Sequence, residues 1–515
     1  MTPESLVRTV EEFLAGSREA VVVEDGAVTF DLGEARYSIS GEYNKCLLHF
    51  WSSERNIVRR VVDAEAKNDV LRLEVRRLGQ SRPSKLEICR RKDRRTPSAK
   101  RAARVAYRRV LERMLARHFA EFQAVQLSTA MDLERSFGPV YTRGVLRRGQ
   151  SAFAILGVNG QETQASIDAA LTFGILWLEH CRDAWSGKAV VHGLKMFLPA
   201  GKWDLVRERM AHLHHGAAQW ELYAIDESAD TMTQLDIADL GNIATRLVHA
   251  CDERSAQERF ADPITLVRQL MPEVEIAVLS GAEIAFRRRG MEFARARLSQ
   301  ASGSSFSGNE IVFGIGAEEK VLCDQNAEHF VRLVKSVGEV RHPEGPRDHP
   351  LWRLYPERWL ESLVLQNVNA VDERLDHTCV YSQVPAFSAA DRGMLDVLCA
   401  THEGRLAVLE LKADEDIHLP LQGLDYWSRV AWHHERGEFQ KFGYFPRREL
   451  ALEPPLLFLV APAFHVHPAT DTLLRFLSPE IDWTLLAIDE RWREGVRVVF
   501  RKRRDHVNCQ LPVAN

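Results

Sequence analysis

Two stretches of this 515-residue chain align with each other without gaps. The run Ala154-Ile-Leu-Gly-Val-Asn-Gly-Gln-Glu-Thr, continuing through Ala169-Ala-Leu-Thr-Phe173 to His180, matches Ala407-Val-Leu-Glu-Leu-Lys-Ala-Asp-Glu-Asp, continuing through Gln422-Gly-Leu-Asp-Tyr426 to His433. Apolar positions correspond: Leu156 with Leu409, Leu171 with Leu424, Phe173 with Tyr426. Each stretch then enters an apolar strand, Val190 to Leu198 and Leu456 to Val460. Each closes on a similar phrase, Trp220-Glu-Leu-Tyr-Ala-Ile-Asp-Glu227 and Trp483-Thr-Leu-Leu-Ala-Ile-Asp-Glu490. Upstream, at a slightly different offset, Leu111-Glu-Arg-Met-Leu115 parallels Leu360-Glu-Ser-Leu-Val364, and Arg143-Gly-Val-Leu-Arg147 parallels Arg392-Gly-Met-Leu-Asp396. Shared apolar periodicity does not by itself produce matched endings of this kind. A duplicated αβ unit is therefore expected, with two similar cores.

The length allows three or four domains. The reading is an α/β (mixed α+β) chain in four parts. Residues 1–95 form a strand-rich domain, 96–228 the first αβ unit, 229–340 a second strand-rich domain and 351–505 the second αβ unit. Val21 to Ile39 and Ile276 to Ala294 both read as short alternating strands around a glycine, Gly26 and Gly281. Thr96-Pro97 is a helix start, with Thr as the cap and Pro at the first position. It opens a long basic helix from Ser98 to Phe122. Ser302-Gly-Ser-Ser-Phe-Ser-Gly308 reads as a flexible stretch, Arg341 to Pro350 as a linker and Arg501 to Asn515 as a frayed polar tail.

The chemistry concentrates in the second unit. Leu395-Asp396-Val-Leu398, Thr401-His-Glu-Gly404 and Leu406-Ala-Val-Leu-Glu410-Leu-Lys412 read as strand, tight turn and strand. Alternate residues of a strand share a face, so Glu410 and Lys412 point one way and Leu409 and Leu411 the other. The hairpin can bring Asp396 alongside Glu410. Charges at the end of so apolar a strand are costly unless paired or bound to metal. Paired carboxylates suit Mg²⁺, and a neighbouring lysine can orient or deprotonate water and stabilise charge on a phosphate. The helix Pro356 to Gln366 offers Glu361. A later helix, Leu419 to His433, offers Gln422 and Tyr426 at i and i+4.

In the order of these elements, residues 351–445 resemble the PD-(D/E)XK nuclease superfamily in its RecB-like form, a restriction-endonuclease-like αβ core. The resemblance implies Asp396 and Glu410 as metal ligands, with the Leu411 carbonyl beside them and Glu361 as an auxiliary ligand. Lys412 would be the base or water-orienting group, and Gln422 would support the site. It also implies Mg²⁺ or Mn²⁺ as the cofactor. Leu395 stands where the family name has Pro.

The same alignment sets Glu112 against Glu361, Arg147 against Asp396, Gly157 against Glu410, Asn159 against Lys412 and Ala169 against Gln422. The first unit is then expected to be a degenerate, metal-free copy that binds or positions substrate. Between Arg82 and Arg117 there are 14 Lys or Arg against 3 acids. Lys100, Arg101, Arg104, Arg108 and Arg109, with Arg113 and Arg117, could meet phosphates.

Other classes recede. There is no charged-then-apolar leader and no run long enough to span a membrane. The eight cysteines form no C-x-x-C pair, so free thiols and a cytoplasmic location are expected. His214-His215 and His433-His434 read as structural or surface residues, Gly314-Ile-Gly316 as a turn, and Gly201-Lys202 lacks the spacing of a phosphate loop. The function expected is metal-dependent hydrolysis of nucleic acid, DNA favoured over RNA, in defence or repair by family analogy. The alternatives are a binding or scaffold protein with two inactive cores, and an RNA-directed nuclease. Nothing decides between a monomer and a homo-oligomer.

Overall fold

The computed structural model describes residues 3–15, 20–24, 27–33, 35–41, 45–52, 56–67, 70–77, 84–90, 97–132, 137–239, 243, 245–298, 308–316, 319–384, 395–446 and 448–504. The expected cap at Thr96, the turn at Gly26 and nearly all of Ser302–Gly308 lie outside them. The chain is a mixed α/β protein with four sheets, two of them mixed sheets with helices between their strands. It divides into two compact units. One comprises residues 1–207 and 218–236, the other 208–217 and 237–515.

The first unit opens with α1 (Pro3–Ala15), β1 (Val21–Glu24), β2 (Ala27–Asp31), β3 (Arg36–Ser40), β4 (Cys46–Trp51), β5 (Asn56–Lys67), β6 (Val70–Arg77) and β7 (Ser84–Cys89). These strands form one antiparallel sheet in the order β2-β1-β7-β6-β5-β4-β3. Leu6, Val10, Phe13 and Leu14 of α1 recur at helical spacing and join Val22, Phe30 and Phe50 in its core. There follow α2 (Pro97–His118), β8 (Gln123–Ser128), β9 (Tyr141–Arg148), β10 (Ser151–Val158), α3 (Gln164–Asp168), α4 (Ala170–Ala184), β11 (Val190–Pro199), α5 (Asp204–Ala211), whose residues from Glu208 on fall in the other unit, β12 (Gln219–Asp226) and β13 (Thr231–Leu235). Strand β13 pairs with β12, so this sheet runs past the expected boundary at 228. The polar run Thr-Met-Thr-Gln-Leu carries little strand signal, which hid it in the sequence.

The second unit holds α6 (Glu253–Arg259), α7 (Ala261–Leu270), β14 (Glu275–Ser280), β15 (Glu283–Arg288), β16 (Met291–Leu298), β17 (Asn309–Phe313), β18 (Lys320–Val321) and α8 (Ala327–Val340). The five strands form an antiparallel meander, with Phe260, Phe286, Phe293 and Phe330 in its core. Then come α9 (Pro350–Arg353), α10 (Pro356–Gln366), β19 (Leu375–Val384), β20 (Leu395–Thr401), β21 (Leu406–Leu411), α11 (Leu419–Glu435), α12 (Glu438–Lys441), β22 (Leu456–Pro462), α13 (Thr470–Arg475), β23 (Asp482–Ile488) and β24 (Val498–Arg503).

The two mixed sheets share one plan. Each has six strands in sequence order, β8 to β13 and β19 to β24. Along each, successive pairs are antiparallel, antiparallel, parallel, parallel and antiparallel. Each is preceded by a helix, and each carries its helical crossovers before the two parallel neighbours.

Two expectations about connections need correction. The stretch after Val340 is a packed joint, not a loose linker. Arg341 is fully buried and donates to the carbonyls of Leu351, Trp352, Leu354, Tyr355 and Arg289, with its guanidinium over the Trp359 ring. Arg501, Lys502 and Arg503 are likewise not a frayed tail. They lie in β24, where Arg501 donates to Asp372 at 2.8 Å.

Candidate functional site

The site is built where β20, β21, α10 and α11 meet. Strands β20 and β21 pair Val397 with Leu409 and Leu398 with Val408, so one step further brings Asp396 opposite Glu410. Asp396 Oδ2 accepts the Leu411 amide at 3.0 Å, which fixes its carboxylate beside β21. The odd residues Leu409 and Leu411 join Trp359, Leu360 and Val364 in the core under α10. Glu410 takes the opposite face, against α11. There Gly423 allows the close approach: a Cβ on it would meet Leu459 Cδ2 at 2.4 Å and the Glu410 Cβ at 3.7 Å.

Helix α10 forms because Pro356 and Glu357 suit a first turn and Trp359, Leu360, Leu363 and Val364 give it one apolar stripe. Glu357 and Glu361, one turn apart, share a face. Glu361 is buried with its carboxylate on Arg358 Nη1 at 2.7 Å. Lys412 Nζ stands 2.9 Å from Glu410 Oε1 and 3.9 Å from Glu357 Oε1. Sequence reasoning missed Glu357. Its signal was the i, i+4 spacing to Glu361 on a helix already singled out.

The electrostatics follow from burial of like charges. Burial raises the Asp396 carboxyl to about 6; the Leu411 amide and Lys412 oppose this, and Glu361 reinforces it. Glu410 is pushed well above the carboxylate range by burial and then by Asp396, against the pull of Lys412. Burial also raises Glu357, with Lys412 opposing and Asp396, Asp416 and Asp414 adding to it. Burial disfavours the ammonium of Lys412, but Glu410 and Glu357 outweigh it and hold the group above the lysine range. Tyr426 is raised by burial and then by the charges of Glu410, Asp396 and Asp425. On β21 and α11, Glu410 Oε2 and Gln422 Oε1 are buried and accept nothing.

Asp396, Glu410, Leu411 and Lys412 come together at the paired ends of β20 and β21, with Glu357 added from α10; Glu361 lies one turn along α10 with its carboxylate on Arg358, and Gln422 precedes Gly423 on α11. Among the described residues no three His, Cys, Asp or Glu side chains stand close enough to form a ready-made metal cage. Mg²⁺ does not require one, since one or two carboxylates plus water and phosphate oxygens commonly complete its shell. The orphaned Glu410 oxygen beside Asp396 fits such a cation. A cavity of about 800 Å³ adjoins the site, lined by Arg358, Glu361, Ser362 and Gln366, with Glu275 accepting from Ser362 at 2.7 Å.

The first unit carries none of this, although the residue correspondences differ from those read in the sequence. Both parallel strands end in proline, Pro199 and Pro462, paired with Ile225 and Ile488. Counting back, Phe197 matches Val460, and their partners Gly157 and Leu411 therefore match. Leu156 thus occupies the place of Glu410 and Val158 that of Lys412. Arg143, opposite Leu156, occupies that of Asp396. Burial agrees: a Cβ on Gly157 would strike Tyr107 and Leu111 of α2, the face opposite to that of Glu410. Every residue from Ala152 to Val158 is buried, so the run gave no alternation to reveal a one-residue slip. By the same logic Gly174 and Gly423, each the fifth residue of its helix, match, which sets Phe173 rather than Ala169 against Gln422.

Arg143 is 4% exposed, donates to the carbonyls of Gly138 and Ala130, and stacks against Phe137 and Trp177. Glu112 is exposed, unlike Glu361. On the basic helix, Arg104 is held by Glu162 at 2.7 Å, and Arg113 and Arg117 by Asp230 at 2.7 and 2.8 Å. Those three cations are therefore committed within the unit. Arg101 and Arg109 lie exposed on the same helix, with Lys100 and Arg108 half-buried.

No family model, no curated protein and no solved structure matches the chain. Among the described residues no helix is long and apolar enough to cross a membrane.

Proposed function

We propose that the second αβ unit is a PD-(D/E)XK-type nuclease core that hydrolyses phosphodiester bonds of nucleic acid, DNA in preference to RNA, with Mg²⁺ or Mn²⁺. The observation that carries this reading is the cross-strand pair Asp396 and Glu410, with a buried, unpartnered Glu410 oxygen and Lys412 at 2.9 Å. Asp396 and Glu410, with the Leu411 carbonyl, would hold the cation, and Glu361 or Glu357 would reach it through water. The bound cation would supply an acidified water and a counter-charge for the phosphate. Lys412, held as the ammonium beside Glu410, orients the attacking water and donates to a phosphate oxygen as the new P–O bond forms; the water gives its proton to solvent, and the leaving sugar oxygen takes one from solvent as it departs. Gln422, whose side-chain oxygen is buried with no donor, would offer it to a water or ammonium. The first unit is proposed to be a degenerate copy of this core that supports or positions substrate, on the strength of its identical sheet plan and the Arg143 substitution.

A second reading has one observation in its favour. Lys412 and Glu410 neutralise each other at 2.9 Å, as they would in a scaffold with two inactive cores. An assay of purified protein on plasmid, single-stranded DNA and RNA, with Mg²⁺, Mn²⁺ or EDTA, separates the readings. The nuclease reading expects metal-dependent cleavage that Lys412→Ala abolishes. No cleavage of any substrate, or equal cleavage by the variant, favours the scaffold. Preference for RNA would change the substrate and keep the mechanism.

A further inference from the structure

Away from the carboxylate cluster, the second unit holds a chain of three side chains that the nuclease reading does not use. His433, near the end of α11, is 2% exposed, yet both its ring nitrogens are engaged. Nδ1 meets the Glu438 carboxylate, and Nε2 lies 2.8 Å from Thr245 Oγ1. Gly437, in the left-handed region at φ 62°, ends one helix and starts the next, which swings Glu438 back onto the ring five residues behind it. An ionised carboxylate can only accept, so the Nδ1 proton belongs to that bond. In the neutral imidazole Nε2 is then the acceptor, and the threonine hydroxyl donates to it. Hydroxyl, imidazole and carboxylate are thus connected with the polarity of a nucleophile, a general base and the group that orients the base.

A purely structural clamp would be closed over. Here Thr245, His433 and Glu438 together line a cavity of about 280 Å³, walled by Leu247, Val248 and Phe442. That volume lies near the lower end of small-ligand sites, roughly 300–1,000 Å³. The Ala250 amide bonds to the Phe442 carbonyl at 2.9 Å and pins this wall in place. Arg246, beside Thr245, also lines the cavity and brings a positive charge to its wall.

We propose that Thr245, His433 and Glu438 form a second hydrolytic site, which cleaves short-chain acyl esters through an acyl-threonine. Thr245 Oγ attacks the acyl carbon as its proton passes to His433 Nε2. Collapse of the tetrahedral adduct breaks the acyl–oxygen bond, and the imidazolium gives its proton to the leaving alkoxide, which departs as the alcohol. Water then loses a proton to Nε2 and attacks the acyl-threonine, releasing the carboxylic acid and restoring the hydroxyl. Glu438 stays ionised throughout and is a positioning residue.

The test uses the full chain with p-nitrophenyl acetate and butyrate and a fluorophosphonate label, read by peptide mass spectrometry. The expected result is a covalent adduct on the Thr245 peptide and ester hydrolysis at least about 100-fold slower in Thr245→Ala and His433→Gln, with Thr245→Ser active. Absence of any adduct at Thr245 in the folded wild-type protein overturns the proposal, whatever the variants do. So does hydrolysis that persists in Thr245→Ala. The three groups would then only tie the 245–250 segment to α11 and α12.

Discussion

The Lys412 ammonium lies 2.9 Å from Glu410 Oε1, and the other oxygen of the same carboxylate is buried with nothing to accept. Half of the carboxylate is thus satisfied by the chain and half is left for something the chain does not supply. Replacing Lys412 by Met keeps the stem and removes the charge. Cleavage should fall by about 10²–10³-fold, the usual range for losing one donor that stabilises charge in the transition state. Mn²⁺ binding measured by calorimetry should persist, because the ligands remain.

Asp396 gives a stability prediction with a definite sign. Its folded pKa, about 6, is above the ordinary 3.8. The native state therefore binds more protons than the unfolded one between those values. The contribution of Asp396 is fully present below pH 3.8 and is lost as pH rises to about 6, with each pH unit worth about 1.4 kcal/mol. Asp396→Asn should raise the melting temperature of the metal-free protein at pH 7.5 by a few degrees and remove any Mg²⁺-induced rise. Scanning calorimetry with and without Mg²⁺ checks both.

Cleavage should rise with pH through the same group, since a protonated Asp396 is a poor ligand. The rate at fixed Mg²⁺ should increase from pH 5 toward pH 7. More Mg²⁺ should shift the midpoint to lower pH, because the cation competes with the proton for the same oxygens. A rate–pH series at two Mg²⁺ concentrations reads this directly.

In the first unit, Arg143 is buried against two carbonyls and two aromatic rings. Arg143→Met should cost about 2–4 kcal/mol through orphaned acceptors and lost packing. The turnover of the folded protein at saturating substrate should stay unchanged. Denaturant melts paired with single-turnover kinetics separate the two effects.

Arg341 predicts a larger loss. Its guanidinium satisfies five backbone carbonyls around the start of α10. Arg341→Ala should destabilise the second unit by about 3–5 kcal/mol and weaken Mg²⁺ binding, because Glu357 and Glu361 ride on that helix.

The legibility of the site and of the rest of the chain differed for physical reasons. Asp396, Glu410 and Lys412 were readable because charges interrupt an apolar hairpin, and period-2 geometry places two of them on one face. Helix α10 was readable to its ends because Pro356 and the spacing of Trp359, Leu360, Leu363 and Val364 mark it. The equivalence of Arg143 and Asp396 was not readable: β9 and β10 are buried on both faces and carry no alternation. Arg341 was hidden in a Pro- and Gly-rich stretch that by composition reads as a linker. Its role depends on carbonyls brought to it by the fold.

The most direct test is to crystallise the protein with Mn²⁺ and collect anomalous data at the manganese edge. The account predicts a peak bridging the Asp396 and Glu410 carboxylates next to the Leu411 carbonyl, with Lys412 displaced from Glu410 Oε1. A well-ordered site with no peak, and Lys412 still paired to Glu410 at saturating Mn²⁺, would contradict it.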